Sequence, residues 1–169
     1  TLFAFEHFGV KPDIMCCAKG IGGGIPIAAI LTSSKIAECM QLGSHGTTFG
    51  GNPLACAVAE QVMTLLSKKS LLNGVKRKEK IFLNELKSIN KDFKCFSAIR
   101  SSGLWIGCKL NVSESFNLNT VMNACYEKGL MILKANDNTI RIAPSLIIED
   151  KLILKGLKIL REVIQEQCH

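Results

Sequence analysis

The sequence predicts an α/β protein in two parts, a strand-and-loop piece of an α/β sheet up to about residue 70 and a compact α+β unit from 71 to 169. Three observations carry this. Two short apolar runs, 13–18 and 26–32, are separated by a glycine loop, as buried strands would be. Near residue 70 the composition shifts from glycine-rich to lysine-rich, and beyond it helical and strand periods alternate. A length of 169 residues suffices for one domain, or for one and a half small ones.

Each element follows from its own residues. Asp13 to Ala18 reads as a buried strand after Pro12, and Pro26 to Thr32 as a second. Ser33 or Ser34 caps a short helix reaching about Leu42. The stretch from Gly43 to Pro53 is a loop by composition. A helix from Leu54 to about Ser67 is apolar nearly all round, which predicts burial. From Ser70 to Asn90 a helix places Val75, Phe82, Leu86 and Ile89 on one face and lysines on the other. Lys94 to Arg100 and Leu104 to Leu110 read as paired strands about Ser101-Ser102-Gly103, and Leu118 to Lys128 as a helix ended by Gly129. Two short strands, Leu130 to Lys134 and Thr139 to Ile142, flank a turn at Asn136-Asp137-Asn138. The last helix, Glu149 to Glu166, repeats Ile153, Leu157, Leu160 and Ile164 at helical spacing.

Composition excludes several classes. Hydrophobic content of 47% belongs to a packed protein, not a disordered one. No run approaches the roughly 18 apolar residues of a membrane span, and the N-terminus lacks the basic region of a signal peptide. The expectation is a cytoplasmic protein. The chain also begins without Met and in mid-pattern, which reads as a piece of a longer protein. None of the eight cysteines forms a C-x-x-C, and His7, His45 and His169 supply no zinc spacing, so no metal is expected. Cys16, Cys17, Cys56, Cys108 and Cys125 sit in apolar runs and read as small core hydrophobes. Most of the +7 net charge lies between Lys68 and Lys94. A nucleic-acid surface would look similar, but the charges alternate with an apolar helical face. They read as solvated, with Lys76, Lys78 and Lys80 facing water.

Three clusters could carry chemistry. Lys19 follows an apolar run and precedes Gly20-Ile-Gly-Gly-Gly24. Desolvation at the mouth of a buried strand favours the neutral amine that Schiff-base chemistry needs. A plain Lys-Gly turn is the alternative, and a Walker A loop fails because its lysine follows the glycines. The second cluster is His45-Gly-Thr-Thr-Phe-Gly-Gly-Asn-Pro53, where hydroxyls and glycine N–H groups ahead of a helix suit an anion; a surface turn with a capping Asn52 would look the same. The third is Arg141, between two isoleucines on a strand, pointing away from their face. Arginine suits a bidentate grip on a carboxylate, although many strand arginines are merely exposed.

In this order, PDIMCCAKGIGGGIPIAA, HGTTFGGNPLACAVAE and IRIAPSL resemble the class III pyridoxal-phosphate aminotransferases, most of all the acetylornithine type. The opening LFAFEHFGVKPD is similar to the segment preceding the family's lysine. The resemblance implies a fold-type I transferase: the end of the large cofactor-binding domain (1–70), then the C-terminal small domain (71–169). It implies pyridoxal 5′-phosphate held covalently by Lys19, which would also move a proton between the substrate Cα and the cofactor as base and acid. Thr48, with Thr47 nearby, would bond the phosphate of the cofactor in the partner subunit of a homodimer, and Arg141 would clamp the substrate carboxylate. The implied reaction is transamination of N-acetyl-L-ornithine, and of N-succinyl-diaminopimelate, with 2-oxoglutarate, in arginine and lysine biosynthesis. A 4-aminobutyrate or ornithine aminotransferase, or a non-catalytic remnant, are the alternatives. The chain departs from the family at Ser101, where Arg-Gly-x-Gly-Leu is usual, and a positive φ there would be strained. The acid facing the pyridine nitrogen, the stacking aromatic and the cis phosphate loop of the family are absent from this chain.

Overall fold

The computed structural model describes residues 1–114, 116–135 and 138–168. They form two compact units, Thr1–Leu72 and Asn73–His169.

In the first unit β1 (Ile14–Cys17) pairs antiparallel with β2 (Ala29–Thr32), in the register Ile14 to Thr32 and Cys17 to Ala29. The second strand is shorter than expected. Pro26 has no N–H to give a ladder, and 26–28 instead form the exit of the glycine loop. Helix α1 (Ser34–Ala37) stops well before Leu42, because Cys39 and Met40 turn their N–H groups to carbonyls three residues back, Ile36 and Ala37. Helix α2 (Pro53–Leu66) starts where composition places it, with Pro53 at its first position and Asn52 as cap. Its expected burial fails. Leu54 is 68% exposed and only Ala55 of the helix is buried. Among the described residues of this unit only Gly22 and Ala55 are buried, so β1 and β2 are not the buried strands expected. The apolar faces are present, but no layer of the unit covers them.

The second unit holds the core. Helix α3 (Lys69–Phe93) enters it from the first unit and lays Phe82, Leu86 and Ile89 against a four-stranded antiparallel sheet. The sheet has the order β3-β4-β6-β5, with β3 (Phe96–Ser102), β4 (Trp105–Leu110), β5 (Leu133–Ala135) and β6 (Thr139–Ile142). Ile106, Cys108 and Leu110 of β4 and Ile140 of β6 point to the helices and are buried. So do Val121 and Cys125 of α4 (Leu118–Glu127), and Ile153, Leu157, Leu160 and Ile164 of α5 (Asp150–Gln167). Each aliphatic side chain so buried contributes about 1.5–3 kcal/mol.

Local chemistry sets the ends. Asn117 caps α4 by accepting from the Asn119 and Thr120 N–H groups, while its own N–H donates to Thr120 Oγ1. Gly129, at φ 81°, closes α4 with a Schellman motif: its N–H donates to Tyr126 O and the Leu130 N–H to Cys125 O. Leu130 is thereby spent on the cap, and β5 starts at Leu133 rather than at 130. Lys94, at φ 50°, is the turn from α3 into β3, not the first strand residue. Ser101 and Ser102 lie in β3 rather than in the turn, which tightens to Gly103-Leu104 with Gly103 at φ 61°. Ser101 is therefore not strained. It pairs with Ile106, and its hydroxyl donates to Glu79 Oε1 at 2.6 Å. The expected turn at 136–138 falls largely on residues outside those described; Asn138 has φ 57°.

The basic helix is not merely solvated. Lys76 and Lys80 are exposed. Lys78, however, donates to Leu146 O at 2.8 Å, and Arg77 grips Asp150 of α5 with both nitrogens, which holds the Asp150 carboxyl below the usual carboxylate range. Arg161 of α5 closes the far end, bonding Asp92 and Ser88 over the Phe93 ring. Of the cysteines, Cys95, Cys108 and Cys125 are buried, whereas Cys16 and Cys56 are exposed; all eight are free thiols.

Candidate functional site

In the first unit, β1 ends at Cys17 and the backbone turns at Lys19, which takes φ 55°. A lysine in the left-handed region costs about 1 kcal/mol and persists only where its surroundings enforce it. They do so here through the glycines. Lys19–Gly22 is a single 3-10 turn, closed by the Gly23 N–H on Gly20 O and the Ile25 N–H on Gly22 O. A Cβ on Gly22 would lie 2.8 Å from Ile27 Cγ2, and one on Gly23 (φ 57°) 2.9 Å from Val62 Cγ2 of α2. Two bare backbone positions thus let the turn seat against its own exit and against α2.

The turn opens on a cleft of about 730 Å³ that brings Lys19 together with Thr47, Pro26, Ile27 and the Gly50-Gly51-Asn52 backbone. Asn52 fixes the cleft's far wall: its Oδ1 accepts from the Ala55 N–H at 2.9 Å and its Nδ2 donates to Phe49 O at 2.8 Å. A methyl on Gly50 would collide with Thr47 Cγ2, so the glycine sets where Thr47 sits. Thr48 is exposed and does not line this cleft. Lys19 is exposed as well, so the apolar desolvation argued from its strand is not provided within this unit. The role of 26–28 as cleft wall was hidden in the sequence, where an apolar run after a glycine loop has the same signature as a strand.

Arg141 belongs to the second unit. It lies on β6 beside fully buried Ile140 and, as its strand position predicts, on the opposite face. There its guanidinium carbon stands 6.0 Å from the centre of the Trp105 ring, within cation–π range. Trp105 is 66% exposed. Its place beside Arg141 follows from the β4–β6 register, in which Gly107 opposes Arg141, and no sequence pattern states that register. Arg141 also borders an apolar cavity of about 270 Å³ lined by Leu133, Ile142, Pro144 and Leu157.

A comparison with protein families decides the family. The class-III aminotransferase profile matches residues 1–164. The chain belongs to the class-III aminotransferases. Among curated class-III relatives, the chain is 46% identical over 157 residues to an acetylornithine/succinyldiaminopimelate aminotransferase of Buchnera aphidicola, covering 93% of this chain and 38% of the relative. It is 46% identical over 167 residues to a succinylornithine transaminase of Yersinia pseudotuberculosis, covering 99% and 40%. Among solved structures it superposes on an N-acetylornithine aminotransferase of Stenotrophomonas maltophilia with TM-score 0.85 and 35% identity, over 98% of this chain and 43% of that one. An ornithine aminotransferase of Toxoplasma gondii gives TM-score 0.90 at 28% identity, over 99% and 40%. The fold is that of the fold-type I pyridoxal-phosphate transferases, and this chain spans about two fifths of the relatives' length. Pyridoxal 5′-phosphate is the cofactor of this class. The first-unit cleft suits it, since a primary amine, a hydroxyl and glycine N–H groups are what a phosphorylated aldehyde requires.

Proposed function

We propose that the protein containing this chain transfers the terminal amino group of an N-acylated ornithine to 2-oxoglutarate, yielding a semialdehyde and glutamate. N-acetyl-L-ornithine is the first substrate, with N-succinyl-diaminopimelate as the related donor, in arginine and lysine biosynthesis. The observation that carries this is Lys19, locked at φ 55° by the glycine turn and opening on the same cleft as Thr47. A second donor, N-succinylornithine, has its own support in the 46% identity to a succinylornithine transaminase.

The chain's residues divide the work. Lys19 would hold the cofactor covalently, and its amine, when free, would act as base and acid, taking a proton from the carbon that bears the substrate nitrogen and giving one back. When bound, pyridoxal phosphate supplies the electron sink that makes that carbon acidic. Gly22 and Gly23 keep the Lys19 turn seated against Ile27 and α2 through this exchange. Arg141, steadied by Trp105, grips the α-carboxylate through its two parallel N–H donors. Thr48, exposed and outside the lining of the Lys19 cleft, would bond the cofactor phosphate of a partner subunit, with Thr47 nearby. The assembly is a cytoplasmic homodimer. Residues 1–70 complete its large domain and 71–169 form its small domain.

Borohydride reduction of the holoenzyme followed by peptide mapping tests the reading. Lys19 is expected to carry the whole pyridoxyl label. Label on any lysine between 68 and 94, or none on the chain, would refute it.

A further inference from the structure

The open face of the second unit's sheet holds more positive charge than one carboxylate clamp needs. Cross-strand partners project from the same side of a sheet. Arg100 of β3 opposes Gly107 of β4, and Gly107 opposes Arg141 of β6, so the two arginines share one row and one face. Lys109, two residues from Gly107, opposes Ala98 and Thr139 in the next row and projects the same way. Trp105 is two residues from Gly107 on the other side. Gly107 therefore sits bare at the centre, with a cation on three sides and an aromatic ring on the fourth.

No position in these rows is an aspartate or glutamate. Among the described residues none of Arg100, Lys109 and Arg141 is in an ion pair, whereas Arg77, Lys128, Lys151 and Arg161 each have one. Arg100 and Lys109 are exposed, and the opposite side of the sheet is the buried core. With strands about 4.8 Å apart, Arg100 and Arg141 start roughly 10 Å from each other across the glycine. Their long side chains can close on two anionic groups of one small molecule, and among the described residues neither is in an ion pair that must first break.

We infer that Arg100 and Lys109 form a second anion subsite beside Arg141, which selects N-succinylated over N-acetylated donors by binding the succinyl carboxylate. This rests on the reading of Arg141 as the α-carboxylate clamp. Acetyl and succinyl donors share the ornithine body; succinyl adds a carboxymethyl group, whose carboxylate lies several bonds from the α-carboxylate. The neutral acetyl group gains nothing from Arg100 or Lys109. The succinyl group gains an exposed guanidinium that is in no ion pair among the described residues, and the field of a neighbouring ammonium.

The test uses the intact holoenzyme and the donor half-reaction alone, followed by the loss of the absorbance of the lysine-bound cofactor. That arrangement keeps dianionic 2-oxoglutarate out of the measurement. Arg100→Gln and Lys109→Gln are expected to lower the specificity constant for N-succinylornithine by about three- to tenfold, and to flatten its dependence on ionic strength. N-acetylornithine should stay within about twofold of the parent, as should the limiting rate for both donors. Arg100→Lys, which keeps the charge, should recover most of the succinyl preference. If Arg100→Gln loses bound cofactor or melts early, Lys109→Gln reads the same field. Equal losses for both donors, or none for either, overturn the inference. Arg141→Gln separates the two claims: it should damage both donors. If it spares both, the reading of Arg141 falls and the inference with it; if it damages both while Arg100→Gln and Lys109→Gln damage neither selectively, only the inference falls.

Discussion

At the scale of single residues, the buried thiols set how the second unit responds to pH. Burial pushes Cys108 up to about 12, with neighbouring Cys95 adding to it. Burial likewise takes Cys95 to about 12, helped by Cys168, and Cys125 to about 11. The ordinary value for these thiols is 9.0. The folded chain therefore keeps protons that the unfolded chain releases above pH 9. Stability is intact below that value and falls as pH rises from 9 towards 11 and 12, by up to about 1.4 kcal/mol per pH unit for each thiol. Urea midpoints measured from pH 7 to pH 10.5 should fall above pH 9, and Cys108→Ala should make that fall shallower. An unchanged slope in the variant would show that Cys108 ionises equally easily in both states. Sequence placed Cys108 and Cys125 in apolar surroundings correctly, because a strand interior and a helix stripe are local patterns. Cys16 and Cys56 have the same local pattern and are exposed, because burial also needs a second layer.

At the scale of elements, one of the bonds that tie β3 to α3 is not announced by chain composition. Ser101 stands where the family usually has glycine, and its hydroxyl donates to Glu79 Oε1 at 2.6 Å in a partly buried setting. A bond to a carboxylate there contributes about 1.5–3 kcal/mol. Ser101→Gly and Ser101→Ala should each lower stability by about that amount in chemical denaturation. Glu79→Gln, which still accepts a bond, should lose less. A glycine variant as stable as the parent would mean that the hydroxyl is satisfied equally well by water. The expectation of strain at Ser101 rested on the family's glycine. The structure removes it by running β3 through Ser102 and leaving the left-handed turn to Gly103. The helices were legible for the opposite reason. Val75, Phe82, Leu86 and Ile89 repeat with a period that needs no partner to be recognised.

At the scale of the molecule, the two units differ in what they bury. The second has a continuous core running from Phe82 to Ile164, while the first buries only Gly22 and Ala55 among its described residues. Phe49 is 79% exposed and Leu42 fully so. Local opening follows buried apolar contact. In the 169-residue chain, hydrogen exchange should find the core amides of α3, β4 and α5 protected by about a hundredfold or more over those of β1, β2 and α2. Equal protection in both units would contradict this division. Adding the family's remaining sequence should protect the first unit's apolar faces, because the chain spans only about two fifths of its relatives.

The sequence by itself determined the helix and strand types, the α2 and α4 caps, the helix faces of the second unit, and the three motifs that lead to Lys19, Thr48 and Arg141. Each of these is written within a few residues of chain, as a period, a cap or a fixed string. Only the tertiary structure decided which apolar faces are covered, that Pro26–Ala28 wall the Lys19 cleft instead of pairing, and that Arg100, Lys109, Trp105 and Arg141 surround Gly107. Those depend on strand register and on a second layer, and both join residues tens of positions apart. A shift of one residue in the register of any one of these strands would turn that strand's share of the cationic row to the other face.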